Sequence, residues 1–297
     1  QAYQLILRGY MGTEEIDKAI ATMSDLERVA GSDDPEALTQ IYIELGVKLR
    51  DEIERLRAEQ NQERLDSVTS AFDRFLDALF NRQEGLNYNT LLWIAESYSS
   101  LGIGMKGDTA AATKYFERSA AAYDRILSQA DGNPSFMEAR FVPGIQTRIA
   151  VLKRRQGDYE GALKIVTEVL EGDSKRLEAQ FEAGMIYKEW AEVTNEPDKY
   201  LDAVMGNKRK ENKESPIYGF SQLAVLYQRI WDNPASPLAD ADQRFFDTMY
   251  QVADCQYLYA SAQSDNDTAN KYFDAAKATV QTFALYSAGD ANKETWD

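Results

Sequence analysis

The chain has 297 residues and a net charge of −16, with 44% hydrophobic and 28% charged residues, the balance of a folded protein with a sizeable core rather than a disordered polymer. So acidic a body is a poor host for nucleic-acid phosphates or an anionic membrane, and no uninterrupted apolar run of about 18 residues predicts a transmembrane helix. It contains no histidine and one cysteine, Cys255, which removes Ser-His and Cys-His nucleophile pairs, most catalytic zinc sites and any internal disulfide.

Proline and glycine are sparse, at 7 and 17 residues, and Ala, Leu, Glu, Lys and Gln dominate, so an all-α chain is expected. Gln1 rather than Met at the first position, with no signal-peptide pattern, points to a processed protein or an excised segment. The compartment is open.

Taken in order, residues 2–30 carry Ile16-Asp17-Lys18-Ala19-Ile20, a pattern repeated at Tyr159 to Leu163. Asp34-Pro35 is a helix start, followed by an apolar stripe at Leu38, Ile41, Leu45, Leu49, Ile53 and Leu56. Gln60-Asn61-Gln62 breaks it, and Leu65, Val68, Phe72, Phe75, Leu76 and Leu79 begin another. A hairpin starts near Tyr88, with Trp93, Ile94, Ala95 and Tyr98 on its first helix and Ala112 to Phe116 on its second. Gly102 to Asp108 reads as an inserted link between them, and Asn133-Pro134 ends the unit. The next hairpin covers Pro143 to Arg176, Pro143 distorting its start; Leu177 to Ala191 and a shortened Asp198 to Met205 follow. Tyr218 to Trp231, a helix starting at Ser236-Pro237, and a last helix with Ala269 to Phe273 complete the array, leaving 287–297, with Trp296, as a tail or linker.

The centre of this order is the run Gln156-Gly157-Asp158-Tyr159-Glu160-Gly161-Ala162-Leu163-Lys164, flanked by Ala150 and Gly184, which are 34 residues apart. The run resembles the turn and second helix of a tetratricopeptide (TPR) repeat, whose period is about 34 residues and whose helices approach at small side chains. That resemblance implies an α-solenoid of stacked antiparallel helix hairpins with irregular, lengthened N-terminal helices. It would form one domain over 1–286: irregular hairpins in 1–84, the clearest repeats in 88–205, and divergent hairpins in 216–286.

Other candidate sites are readable as structure. Gly102-Ile103-Gly104-Met105-Lys106-Gly107 lacks the Gly-Lys-Ser/Thr ending and preceding strand of a phosphate loop. Asp265-Asn266-Asp267 lacks the later glycine and glutamate of a calcium loop and suits a helix cap. The pairs Asp33-Asp34 and Asp240-x-Asp242 fall at helix starts, where negative charge is favoured. Cys255 sits on an amphipathic helix as a small core residue. The basic run Asn207 to Glu214 reads as a solvated inserted loop, with an anion or acidic-partner site as the alternative.

No cofactor and no metal is expected. By the TPR resemblance, first helices line a concave groove, here Thr147, Val151, Arg154 and Arg155, then Glu178, Phe181, Met185, Lys188 and Glu189. The Lys/Asn clamp by which some family members hold an acidic C-terminus is not reproduced. Arg154, Arg155 and Lys188 form the expected positive patch, favouring a protein or peptide with negative charge and an apolar anchor. The expected function is a non-catalytic protein-interaction scaffold. The alternatives are a carbohydrate-related helical protein, either glycan-binding or a toroidal glycosidase, and a structural subunit of a larger assembly.

Overall fold

The computed structural model describes residues 35–289 apart from 83, 106, 234, 236 and 237, together with 5, 6, 9, 10, 15, 18, 19, 21, 22 and 25. Between residues 35 and 289 these form eleven α-helices and three short 3-10 turns, with no strand among the described residues. Where the sequence reading drew one array over 1–286, the chain divides into two compact units, Gln1–Val142 and Pro143–Asp297.

In the first unit α1 (Pro35–Ala58) and α2 (Gln62–Phe80) run antiparallel. Tyr42 stacks on Phe75 towards one end, and Arg64 stands 3.4 Å from Glu52 towards the other. The reversal uses Gln60 at positive φ and Asn61, whose side chain accepts from the Arg64 N–H and satisfies an orphan donor of the new helix. Leu45, Leu49, Ile53 and Leu56 are buried on α1, and Val68, Phe72, Phe75, Leu76 and Leu79 on α2. Asp33, Asp34 and the side chains of Leu38 and Ile41 lie outside the described residues.

The second pair of helices is α3 (Tyr88–Gly104) and α4 (Thr109–Ala130). Buried Ala95 lets them approach, and the Ser119 hydroxyl donates to the Ala95 carbonyl at 2.7 Å. Gly102 to Asp108 is not simply a link, because α3 continues through Gly104. A Cβ at Gly102 would be driven into the ring of Phe116, and one at Gly104 into the guanidinium of Arg57. Gly102 thus serves close packing, whereas Gly104 faces only the end of a flexible side chain; Met105 to Asp108 connects the helices.

The two hairpins of this unit are tied through their second helices. Arg118 of α4 pairs with Asp73 and, at 3.0 Å, with Asp77 of α2. Arg125 donates to the Phe80 carbonyl at 2.6 Å and to that of Arg82 at 3.0 Å. Arg118 to Asp73 and Arg125 to Phe80 both span 45 residues, so α2 and α4 run parallel in a fixed register.

The second unit holds α5 (Val142–Arg155) from its second residue on, α6 (Tyr159–Gly172), α7 (Leu177–Thr194), α8 (Asp198–Met205), α9 (Phe220–Trp231), α10 (Ala241–Ser261) and α11 (Asn266–Gly289). Pro143 lies in the first turn of α5, where its missing N–H has no intrahelical partner to lose; a 3-10 turn, Ala139–Phe141, precedes it. Gly157 turns the chain at φ +81°, and Asp158 caps α6 by accepting from the Gly161 N–H at 2.9 Å. Ala150, Ala162, Val166, Ala183 and Ile186 share one core cluster.

Gly184 is also buried, and a Cβ there would enter the ring of Phe220 on α9. The close approach it permits is therefore to α9. Helix α10 begins at Ala241, later than the expected start at Ser236-Pro237, a pair outside the described residues. Helix α11 runs to Gly289, so the first three residues of the expected tail are helical; Trp296 lies outside the described residues.

Candidate interaction surface

The predicted groove residues are brought together, but mostly inside the packing. Arg154 is only 7% exposed. Its Nε and Nη2 donate to the two carboxylate oxygens of Glu182 at 2.7 and 3.1 Å, and its Nη1 donates to Glu189. Both acids are on α7, so the guanidinium crosses from one hairpin to the next. Burial lifts the carboxyl pKa of Glu182 above the ordinary range against the pull of Arg154.

Lys188, 34 residues after Arg154, is likewise buried against a carboxylate of another helix. It is 9% exposed, and its Nζ lies 2.5 Å from Asp254 Oδ2 and 2.8 Å from Gln251 Oε1, both on α10. Burial alone would lower its pKa, but the bond to Asp254 keeps it above the ordinary lysine value.

The expectation of a free positive patch fails at these two residues. A cation leaves water readily only when a carboxylate meets it, and both found one on the neighbouring helix. Arg155 is exposed, Val151 is half-buried, and the buried Thr147 donates its hydroxyl to the Pro143 carbonyl at 2.8 Å. The apolar anchors are spent in the same way. Phe181 meets Phe220 edge-on at 5.5 Å, and Met185 packs against the cluster containing Tyr200, Leu201 and Val252. Glu178 stays exposed, 4.0 Å from Arg244.

The basic loop is folded back rather than free. Arg209 donates to the Asp198 carbonyl at 2.7 Å and to Asp202 at 2.9 Å, and Asn212 donates to the same carboxylate oxygen at 2.7 Å. From α7, Gln180 donates to the carbonyls of Ser174 and Pro216, both at 2.9 Å, and accepts from the Tyr218 N–H at 2.8 Å. Gly206 and Gly219 lie backbone to backbone, where any Cβ would collide. Lys208, Lys210 and Lys213 remain exposed, interspersed with exposed Glu211 and Glu214.

Cys255 is fully buried, and that burial pushes its thiol up to about 12. The residue is built as core. Asp265 caps α11 by accepting from the Thr268 N–H at 2.9 Å, and Asp240 accepts from Arg244 at 2.8 Å.

An open groove of about 440 Å³ runs along α6, lined by Glu160, Leu163, Lys164, Thr167, Glu168, Glu171 and Trp190. Six of these recur three or four residues apart on α6, a spacing that puts them on one face. Trp190 comes from α7 and closes one end: Tyr159 stacks on it at 6.1 Å, and the Lys199 ammonium lies over its ring at 4.1 Å. Glu160, Lys164, Glu168 and Glu171 are exposed, while Leu163, Thr167 and Trp190 are half-buried beneath them. The period of this face is legible in the sequence, but the resemblance drew attention to first helices instead of this second one.

The first unit has a smaller cleft of about 270 Å³, lined among others by Arg57, Gln62, Asp66, Asp73, Gly104 and Tyr115. Its groups are engaged with one another: Gln62 donates to Asp66 at 2.7 Å, and Asp73 holds Arg118.

Among the described residues no helix is long and apolar enough to cross a membrane. No protein-family model matches the chain, and no curated protein matches it.

Proposed function

We propose that each unit is a stretch of TPR-like α-solenoid and that the protein is a non-catalytic scaffold holding a partner protein. The observation that carries this reading is the tying of helices from different hairpins by cations, two of them buried. Arg154 and Lys188, 34 residues apart, each reach a carboxylate on a later helix, and the half-buried Arg118 and Arg125 each reach back 45 residues to α2, to the Asp73 carboxylate and the Phe80 carbonyl. Ties of this kind fix one hairpin against the next, which is what a repeat array needs to present a stiff surface. They consume charged groups in stacking, where an enzyme would hold them towards a substrate.

The acidic partner first expected rested on three cations, two of which are neutralised internally. The partner proposed here is accordingly not selected by that patch. The test combines two measurements on the purified chain. The scaffold reading expects a stoichiometric protein partner recovered from the native source by cross-linking and mass spectrometry. Glycoside turnover that disappears on changing one Asp or Glu would overturn it in favour of the carbohydrate reading.

A further inference from the structure

We infer that the groove along α6 is a docking seat for a basic segment carrying an apolar side chain, lysines or arginines on one side and a large aliphatic residue on the other. This deepens the scaffold reading and rests on it.

The argument is one of charge and shape. Glu160, Glu168 and Glu171 form an acidic rim, opposed within the lining only by Lys164. Lys199, over the Trp190 ring, is held 2.8 Å from Glu196. The rim spans about three turns, roughly 16 Å at 1.5 Å per residue, so it can meet several cations of one segment at once. Beneath it Leu163 and the edge of Trp190 supply an apolar floor that water covers poorly. About 440 Å³ is room for large side chains from a docked segment. Trp190 is braced by Tyr159 on α6 and Lys199 on α8, which lessens the ordering its ring needs on binding. The rim is also free: Glu168 and Glu171 are exposed, and no buried partner is lost by changing them.

A basic, apolar-anchored segment therefore gains on both counts, whereas an acidic one would be repelled by the rim. Long-range attraction to the net charge of −16 would speed the encounter of any cation. The seat is distinguished by its dependence on the anchor and on these glutamates in particular.

The probe is a fluorescein-labelled amphipathic peptide with lysines on one face and leucines on the other, titrated by anisotropy into the full chain. Glu168→Lys together with Glu171→Lys is expected to weaken binding by about tenfold or more, since attraction becomes repulsion at two positions. Glu63→Lys with Asp274→Lys, two exposed acids on α2 and α11, changes the net charge equally and is expected to leave affinity within about twofold. Replacing the peptide's leucines by serine should also cost about tenfold. Equal weakening by both reversals would mean bulk charge alone, and unchanged binding by the α6 reversal would mean another site; either overturns the proposal. A native partner that binds the α6 reversal with parental affinity overturns this seat while leaving the scaffold reading intact. The absence of any stoichiometric partner removes the scaffold reading itself.

Discussion

Arg118 in the first unit and Arg154 in the second perform the same task at different depths. Each guanidinium joins two helices through two carboxylates, Asp73 and Asp77 in one case, Glu182 and Glu189 in the other. The Arg118 side chain keeps 26% of its surface in contact with solvent and lies over the Tyr98 ring at 5.6 Å, while that of Arg154 keeps 8%. Water screens the first tie and can replace it when it breaks; nothing replaces the second. The same bond is therefore an adjustable clasp in one unit and a fixed pin in the other.

The largest expected effect follows directly. Arg154→Ala strands the Glu182 carboxylate in a buried site and should cost about 3–5 kcal/mol, against about 1 kcal/mol or less for Arg118→Ala. Urea unfolding of the two variants measures both; equal losses would break the distinction. The pair can also be sharpened from the other side. Replacing Arg154 by Met and Glu182 by Leu together should be close to neutral, or stabilising, because the desolvation cost disappears with the charges.

Next in size are the glycines on which large rings rest. Gly184→Leu forces Leu against Phe220, and Gly46→Leu forces it against Trp93 and Phe75; each should cost about 1–3 kcal/mol by overpacking. A parental urea midpoint for Gly184→Leu would mean that α7 and α9 are not held as closely as described.

The smallest effect is the acid response of the α6 cap. The bond from Lys153, with that from the Gly161 N–H, holds the Asp158 carboxyl below its ordinary range. A depressed folded-state pKa contributes stability that is complete above the ordinary Asp value near 3.9 and lost as pH falls through the lower folded value. Asp158→Asn should thus lose this small contribution at neutral pH and, with it, part of the slope of stability on the acid limb, so that variant and parent converge as pH falls. Thermal melts between about pH 2 and 5 would show it, and an unchanged slope would remove the cap's charge from consideration.

Much of the fold was legible because local rules and burial agree. The stripes on α1 and α2, the break at Gln60 to Gln62, the turn at Gly157-Asp158 and the short α8 all fall where period, capping and glycine place them. The reading slipped where a residue has two local uses. Gly102 can loosen a link or admit a neighbour, and only Phe116, brought in by packing, selects the second.

The candidate site shows the same division. By itself the sequence set Arg154 and Lys188 34 residues apart, and set Glu160, Lys164, Glu168 and Glu171 on one helical face, the latter following from the geometry of a helix. Whether either cation faces water was decided only by the tertiary structure. Their partners, Glu182 at 28 residues and Gln251 at 63, lie beyond any local pattern. The energy that chooses between a solvated and a buried charge depends on those partners, because a charge leaves water only for an opposite one already held in place.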